Sequence, residues 1–391
     1  MKATHSTTPR QGRGHRLMAN LEALFEALPD GPLLATLAAT RHTGRPGYPL
    51  RVMWRTLVAS FYLGIVHDTD LVRALEANPT LSAACGITEL EGVPSKFAYC
   101  RFRRKLAAFG EAVADVLSST VNRLRDTLPN FGETIAFDAT DVKAWANGFH
   151  QETDPDAGTG AKKKADHRFY WYGYKVSIAV DAGSELPVWF NVAPANTYDG
   201  AHLAPVLSDA RRRFDWFSPS YVTADKGYDA REAFRFVGQE LGAVPVIDVQ
   251  KTHAPRKGTP SVKPCEAHPV TDMLGNERLQ CERRPYEWRC PLFVSCRWHP
   301  TRERANPLET AHYSERFSPF VYRSEEWRQI YNMRVSVERV FSRLKGYRKL
   351  NALRTRRMPK VWLHVALSVL VMNAGAVSHS ISGASLRTCV A

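Results

Sequence analysis

The sequence has few cysteines, no apolar leader segment and no internal repeat. Its 7 cysteines are spread unevenly over 391 residues, which excludes the disulfide framework of a small secreted protein. The basic N-terminal segment is not followed by the apolar core of a signal peptide. The most apolar run, 361–377, contains His364 and Asn373 and is short for a bilayer span. We therefore expect a cytoplasmic protein without a membrane segment.

Acidic residues are also in the minority. Asp and Glu number 39 against 53 Lys and Arg, which gives a net charge of +14. The excess is clustered, because residues 331–357 contain only one acid, Glu338, and residues 96–105 contain none. A basic excess favours nucleic acid as a partner, although basic patches also form solvated surfaces.

The chain is long for one core, so several domains are expected. The residue patterns predict an α/β protein with an all-helical N-terminal domain and a small Cys-containing insertion. The predicted segments are a flexible basic tail (1–18), the helical domain (19–130), the first part of the α/β domain (131–249), the insertion (250–325), C-terminal helices that complete the α/β domain (326–380) and a flexible tail (381–391).

The helical domain contains a candidate DNA-reading helix. Pro94 and Ser95 open a helix whose exposed positions are basic. A capped basic helix packed on shorter helices is typical of DNA-binding units, but a bundle that only supports the next domain fits equally well. The candidate DNA contacts are Arg101, Arg103, Arg104 and Lys105.

The α/β domain begins where the apolar spacing changes at Glu133. We predict strands at 134–144, 174–180, 186–192, 220–224 and 243–249, with helices at 199–213 and 230–240. The polar segment 151–167 is expected to be a mobile loop. It carries Lys162, Lys163 and Lys164, which could grip a DNA backbone or simply face solvent.

The insertion contains cysteines that could bind a structural zinc ion. Its ligands would be Cys265, Cys281, Cys290 and Cys296, with His268 and His299 nearby. The spacing does not form two clean CxxC pairs, so reduced cysteines in a small irregular fold are the alternative.

Four polar side chains after residue 330 share one stripe of a predicted helix: Tyr331, Arg334, Glu338 and Lys345. At about 100° per residue they fall within roughly 60° of one another, and apolar residues occupy the adjoining stripe. A lone carboxylate among basic side chains suits a metal ligand beside a polyanion. The alternative is an amphipathic helix with a solvated basic side.

Two aspartates at strand positions can join this glutamate. Asp138 lies in the first strand and Asp225 ends the fourth, so the side chains meet if these strands are neighbours. Three carboxylates can hold two divalent ions, and oxygen ligands favour Mg²⁺ or Mn²⁺. Asp141 is an alternative to Asp138 as the first metal ligand. Side chains alternate along a strand, however, so the Asp141 side chain should point to the opposite face.

The motifs FDATD, VTADKGYD and Y-(2)-R-(3)-E-(6)-K resemble those of bacterial insertion-sequence DDE transposases, over roughly residues 46–377. HRFYWYGYK and PANTYDG resemble further family segments. The resemblance implies an RNase H-like mixed sheet flanked by helices, and a metal triad of Asp138, Asp225 and Glu338. It also implies that Tyr331, Arg334 and Lys345 hold the DNA at the ends of the element.

By the same resemblance, the protein would be a metal-dependent enzyme that binds terminal inverted repeats as a dimer on DNA. It would cut double-stranded DNA at the element ends and join the 3′-hydroxyl to target DNA, using Mg²⁺ or Mn²⁺. Two alternatives are an RNase H-like nuclease or recombinase without integration activity, and a catalytically silent DNA-binding regulator.

Overall fold

The computed structural model describes residues 13–40, 47–146, 148, 151–164, 167–250, 269–271, 277–279, 323 and 325–381. These residues pack into two compact units. The helical unit lies within Met1–Pro129, Lys143–Ala157 and Arg343–Ala391, and the sheet unit lies within Asn130–Val142 and Gly158–Ser342. Residues 326–380 were predicted to lie wholly in the α/β domain, whereas the packing divides this stretch between Ser342 and Arg343.

The helical unit has seven described helices before the first strand and one near the end of the chain. They are α1 (Arg13–Glu26), α2 (Gly31–Ala39), α3 (Leu50–Tyr62), α4 (Asp68–Ala77), α5 (Pro79–Ala84), α6 (Lys96–Ala108), α7 (Gly110–Thr127) and α12 (Met358–Ile381). The start of α6 follows the predicted cap, because Ser95 Oγ accepts a hydrogen bond from the Ala98 N–H at 3.4 Å.

Helix α12 forms the core of the helical unit. It packs against α1, α3, α6 and α7, and Val365, Leu367 and Leu370 are completely buried. The segment Met358–Ser380 is long and apolar enough to cross a membrane, but 89% of its most apolar 18-residue stretch is buried inside the protein. The apolar run is therefore a core helix, as predicted.

A distant segment caps the start of α12. Asp154 Oδ1 accepts a hydrogen bond from the Arg357 N–H, and Asp156 Oδ2 accepts one from the Met358 N–H, both at 2.8 Å. The first N–H groups of a helix have no partner within the helix, so these carboxylates satisfy them. This contact explains why residues 143–157 belong to the helical unit.

The sheet unit is built on a mixed six-stranded sheet in the order β2-β3-β1-β5-β6, with β4 also paired to β3. Strands β1, β5 and β6 are parallel, while β2 and β4 are antiparallel to β3. The strands are β1 (Thr134–Lys143), β2 (Gly158–Lys164), β3 (His167–Asp181), β4 (Leu186–Pro194), β5 (Tyr221–Ala224) and β6 (Val244–Ile247).

The expectation of a mobile loop over 151–167 was wrong. Residues Gly158–Lys164 form strand β2 and pair with β3 from Gly158↔Gly173 to Lys164↔His167. The sequence GTGAKKK has weak strand propensity, and its main-chain hydrogen bonds come from pairing with the long neighbour β3. Tertiary context therefore overrides the local signal.

Helices flank the sheet. Helix α8 (Leu203–Arg213) packs on β3 and β4, and α10 (Glu325–Asn332) packs on β5 and β6. Helix α9 (Arg231–Arg235) continues as a π-helical turn, and α11 (Val335–Gly346) follows α10. Two short strands, β7 (Pro269–Thr271) and β8 (Glu277–Leu279), pair with each other. The proposed zinc ligands Cys265, Cys281, Cys290 and Cys296 lie outside the described residues.

Candidate active site

Asp138 and Asp225 lie side by side at one edge of the sheet. Strands β1 and β5 are parallel with Phe137 opposite Ala224, so the two aspartates occupy the next positions along neighbouring strands. The two strands are neighbours, which is the condition under which the aspartates were expected to meet. Asp138 Oδ1 accepts the Ala139 N–H at 2.7 Å, and Asp225 Oδ1 accepts the Gly227 N–H at 2.8 Å.

Burial makes the ionised form of Asp138 costly. The preceding residues Ile135, Ala136 and Phe137 are completely buried, and the Asp138 side chain is only 22% exposed. Burial first, and the charge of Asp225 second, raise the pKa of Asp138 to about 7. The strand edge therefore holds two carboxylates that repel each other and need a compensating cation.

Arg334 links Asp138 to Glu338. Its Nη2 donates a hydrogen bond to Glu338 Oε1 at 2.7 Å, and its Nη1 lies 3.7 Å from Asp138 Oδ2. The Arg334 side chain is 18% exposed and that of Glu338 is 53% exposed. One guanidinium group thus brings the carboxylate of α11 to the strand edge that carries Asp138.

The prediction of a single continuous helix through Tyr331 and Glu338 was wrong. Helix α10 ends at Asn332, α11 begins at Val335, and a turn separates them. Within the turn the Arg334 N–H bonds to the Tyr331 carbonyl, and the Val337 N–H bonds to the Arg334 carbonyl. These i→i−3 bonds replace the α-helical pattern. Arg334 therefore projects from a turn between two helices.

Tyr331 still contacts Arg334 across this turn. The Arg334 guanidinium lies 5.7 Å from the centre of the Tyr331 ring, which stacks on Trp327 at 4.5 Å. Burial raises the pKa of Tyr331, so its hydroxyl stays protonated and can donate a hydrogen bond. Tyr331, Arg334, Glu338 and Asp138 thus form one connected group.

The structure places the remaining predicted DNA contacts as follows. Lys345 lies half-buried further along α11. Lys162 is on β2 and forms an ion pair with Asp141, the rejected rival for the first metal ligand. Lys163 and Lys164 follow on the same strand, and the positions of their side chains are not described.

The basic residues of α6 fall into two kinds. Arg101 and Arg104 are exposed. Arg103 Nε lies 2.6 Å from Asp68 Oδ1, and Lys105 Nζ donates to the Leu37 carbonyl at 2.9 Å. Arg103 and Lys105 therefore have partners inside the helical unit, whereas Arg101 and Arg104 project into solvent.

Several polar residues near the carboxylates were not predicted from the sequence. Asp248 follows β6 at the same sheet edge, because Ile247 is opposite Ala224, and it lies 3.5 Å from Arg323. Tyr228 is 1% exposed, and among the described residues its hydroxyl has no hydrogen-bond partner. Asp199 also lies near enough to influence Asp138. A signal was available, since Asp248 and Asp225 each follow a short apolar strand.

The donor atoms of this site are suited to a divalent cation. Asp138, Asp225 and Glu338 offer only oxygen ligands, which Mg²⁺ and Mn²⁺ prefer. In the described part of the chain, no three His, Cys, Asp or Glu side chains converge closely enough to hold a metal as they stand. Glu338 is instead engaged by Arg334. The three residues have the oxygen ligands that such an ion prefers. In this structure the positive charge beside Asp138 and Glu338 is the guanidinium group of Arg334.

Comparisons with known proteins identify the family of this chain. Residues 129–374 match the family described as "Transposase DDE domain", and residues 9–105 match the "Transposase domain (DUF772)". No curated protein matched the sequence. DDE transposase domains generally use divalent metal ions such as Mg²⁺. The expected RNase H-like α/β fold is thereby confirmed. Because the first match covers well over half of the 391 residues, the chain belongs to the DDE transposase family.

Proposed function

We propose that this protein binds the terminal inverted repeats of an insertion sequence, cuts the DNA at the element ends and joins the 3′-hydroxyl to target DNA. One observation carries the proposal. Asp138 and Asp225 lie at equivalent positions of neighbouring parallel strands, and Arg334 connects Asp138 to Glu338. Membership of the transposase family and the net charge of +14 support the same conclusion.

The three carboxylates would hold the divalent ions, preferably Mg²⁺, with Mn²⁺ as a substitute. When bound, such ions activate a water or 3′-hydroxyl and stabilise the leaving oxygen of an in-line displacement. Phosphoryl transfer depends mainly on positioning and charge neutralisation. Arg334 and Lys345 would neutralise the phosphates next to the cut, and the protonated Tyr331 would donate a hydrogen bond to the DNA backbone.

Other basic residues would make additional contacts with DNA. Arg101 and Arg104 are exposed on α6 and suit contact with the terminal repeat, with Arg103 and Lys105 orienting the helix. Lys162, Lys163 and Lys164 would contact the backbone. Bringing two element ends together requires at least a dimer on DNA. A protein that acts on bacterial DNA would reside in the cytoplasm.

Replacement of Glu338 by Gln tests the catalytic proposal. The substrate is a linear duplex that carries the DNA flanking this gene, and cleavage is measured with Mg²⁺ present. We expect Glu338→Gln to reduce cleavage by at least about 100-fold while end binding persists, because the amide cannot replace a charged ligand. Glu240→Gln is the control, since that side chain is 55% exposed on the surface of the same unit. Unchanged cleavage by Glu338→Gln would contradict the assignment.

The same assay separates the two alternatives. A pre-cut element end supplied with supercoiled target gives joined products if the protein is a transposase. Cleavage without any joined product would favour a nuclease or recombinase. End binding by the unmodified protein without any Mg²⁺-dependent cutting would favour a DNA-binding regulator.

A further inference from the structure

Two sequence motifs with no assigned role meet in the sheet unit. Lys175 belongs to HRFYWYGYK on β3, and Asp199 belongs to PANTYDG before α8. Lys175 Nζ lies 2.7 Å from Asp199 Oδ1 and donates a hydrogen bond to the Thr197 carbonyl, also at 2.7 Å. The motifs are therefore joined by an ion pair and a main-chain hydrogen bond.

This ion pair is shielded from solvent. Lys175 is 8% exposed, and Asp199 Oδ1 is itself buried although the rest of the Asp199 side chain reaches solvent. Next to the pair, His202 is 5% exposed and its pKa is lowered by burial, so the ring is neutral and does not compete with Lys175 for Asp199. A buried ammonium group is costly without a partner, so the contacts with Asp199 and the Thr197 carbonyl are what stabilise Lys175 in this position.

The Asp199 segment contacts the turn that carries Asp225. The 3-10 turn Asp199–Ala201 packs against the 3-10 turn Lys226–Tyr228. The Tyr198 hydroxyl donates a hydrogen bond to the Gly227 carbonyl at 3.3 Å, and the Gly227 N–H holds Asp225 Oδ1 at 2.8 Å. A continuous series of contacts thus runs from Lys175 to the Asp225 carboxylate.

Asp199 is also close to the other catalytic aspartate. Burial is the main cause of the raised pKa of Asp138, and the charges of Asp225 and Asp199 add to it. Lys175 offsets the negative charge of Asp199. Asp199 therefore does not add another uncompensated negative charge near Asp138 and Asp225.

We infer that the Lys175–Asp199 ion pair is a positioning element of the carboxylate site, which fixes the Asp225 turn relative to Asp138. The inference rests on the proposed function. Partners that orient metal ligands typically contribute 10–100-fold to metal affinity. Loss of the pair should therefore weaken cation binding by about tenfold even in a protein whose fold is intact.

The test compares Lys175→Met/Asp199→Asn with the unmodified protein. The double substitution removes both charges at nearly constant size, so neither charge is left buried alone. The unfolding temperature is measured at increasing Mg²⁺ concentration without DNA, which gives the half-saturating Mg²⁺ concentration independently of activity. Arg235→Ala is the control, because its pairing with Glu240 at 3.8 Å is exposed on the same unit.

We expect the double variant to unfold within a few degrees of the unmodified protein, with a half-saturating Mg²⁺ concentration raised about tenfold. Arg235→Ala should leave that concentration unchanged. A folded double variant with an unchanged Mg²⁺ response would overturn the inference alone. Absence of any Mg²⁺ response in the unmodified protein would overturn the proposed function and the inference with it.

Asp199→Asn is a second variant if the double variant does not fold. Its amide keeps the shape of the carboxylate and removes only the charge, and the side chain is 38% exposed. A folded Asp199→Asn protein with a weakened Mg²⁺ response supports the inference. Failure of both variants to fold would show that the pair is a general requirement for folding, and would overturn a specific role at the site.

Discussion

Arg334 has two acidic neighbours on different elements, Asp138 on β1 and Glu338 on α11. Burial alone would lower the pKa of its guanidinium, but Tyr331 and Glu338 outweigh burial and raise that pKa. The group is therefore permanently charged. It can hold Glu338 near the strand edge, and it can bind a phosphate that enters the site.

Replacement of Arg334 by Ala should weaken binding to element ends. Loss of one phosphate contact should also lower the slope of log affinity against log salt by about 1. The measurement is a binding titration at several salt concentrations. Arg339→Ala is the matched control, because Arg339 is exposed on α11, directly after the turn that carries Arg334, and pairs with Glu185. Equal salt slopes for Arg334→Ala and the unmodified protein would contradict the prediction.

Binding of Mg²⁺ should depend on pH through Asp138. The pKa of this carboxyl is about 7 in the metal-free protein, so a proton must leave before the carboxylate can bind a cation. We expect affinity to rise about fivefold between pH 6 and pH 7, to rise about twofold more by pH 8, and to level off above that. Calorimetry in buffers of different ionisation enthalpy would measure the released proton, and Asp138→Asn should abolish the release.

The same pKa predicts how stability changes with pH. Because the pKa of Asp138 is raised above its ordinary value, protonation of this group favours the folded state. That contribution is complete below the ordinary pKa and is lost as the pH rises through about 7. Unfolding free energies of the metal-free protein should show this loss, and Asp138→Asn should remove it.

At the scale of residues, sequence patterns predicted Asp138, Asp225, Glu338 and Arg334, because each lies in a short motif with a recognisable environment. They missed the pairing of Lys175 with Asp199, two residues separated by a strand and a turn. Nothing local indicates that a lysine in a strand is buried, since burial depends on which elements pack over it.

Among the elements, the turn after β5 has little room for a larger side chain. A Cβ atom at residue 227 would lie 2.8 Å from Asp225 Oδ1, closer than van der Waals contact permits. Gly227→Ala should therefore displace the carboxylate and lower cleavage by about 100-fold, the cost of a misplacement near 1 Å. In Gly183→Ala the new Cβ would be 3.6 Å from Asp181 Oδ2, an ordinary contact. That variant should retain full cleavage.

The basic face of α6 should separate into stabilising and binding residues. Arg103 pairs with Asp68 at 2.6 Å and its guanidinium lies 5.2 Å from the Phe61 ring centre, so Arg103→Ala should lower the free energy of unfolding by about 1–3 kcal/mol. Arg104 is exposed, and Arg104→Ala should weaken DNA binding without changing stability. Denaturant unfolding and end-binding titrations measure both effects. The reverse pattern would contradict this division.

The order of most elements was predictable, because apolar periodicity reflects burial directly. Two features were not predictable from the sequence: strand β2, and the turn between α10 and α11. The first depends on pairing with β3, and the second on i→i−3 bonds within an otherwise helical pattern. Both are decided by contacts that no short window of sequence contains.

For the whole molecule, the helical unit draws on three separated parts of the chain. A fragment that ends at Pro129 lacks α12, which packs against α1, α3, α6 and α7. We expect no cooperative thermal unfolding transition from that fragment, because the buried faces of those helices would be exposed. Joining residues 1–129 to residues 343–391 through a flexible linker should restore the transition. A cooperative transition of the short fragment would contradict the prediction.

The sequence predicted a helical N-terminal region and an apolar buried helix near the end of the chain, and both are present. It did not reveal that they form one unit. Helix α12 is apolar on all sides, so its pattern indicates burial without indicating which partner covers it.

The position of α12 has a consequence for protein synthesis. A ribosome must translate all of the residues before Met358 before it begins to make the helix that fills this core. Products that terminate before this helix would therefore expose the apolar surfaces that it covers, and we expect proteases to clear them.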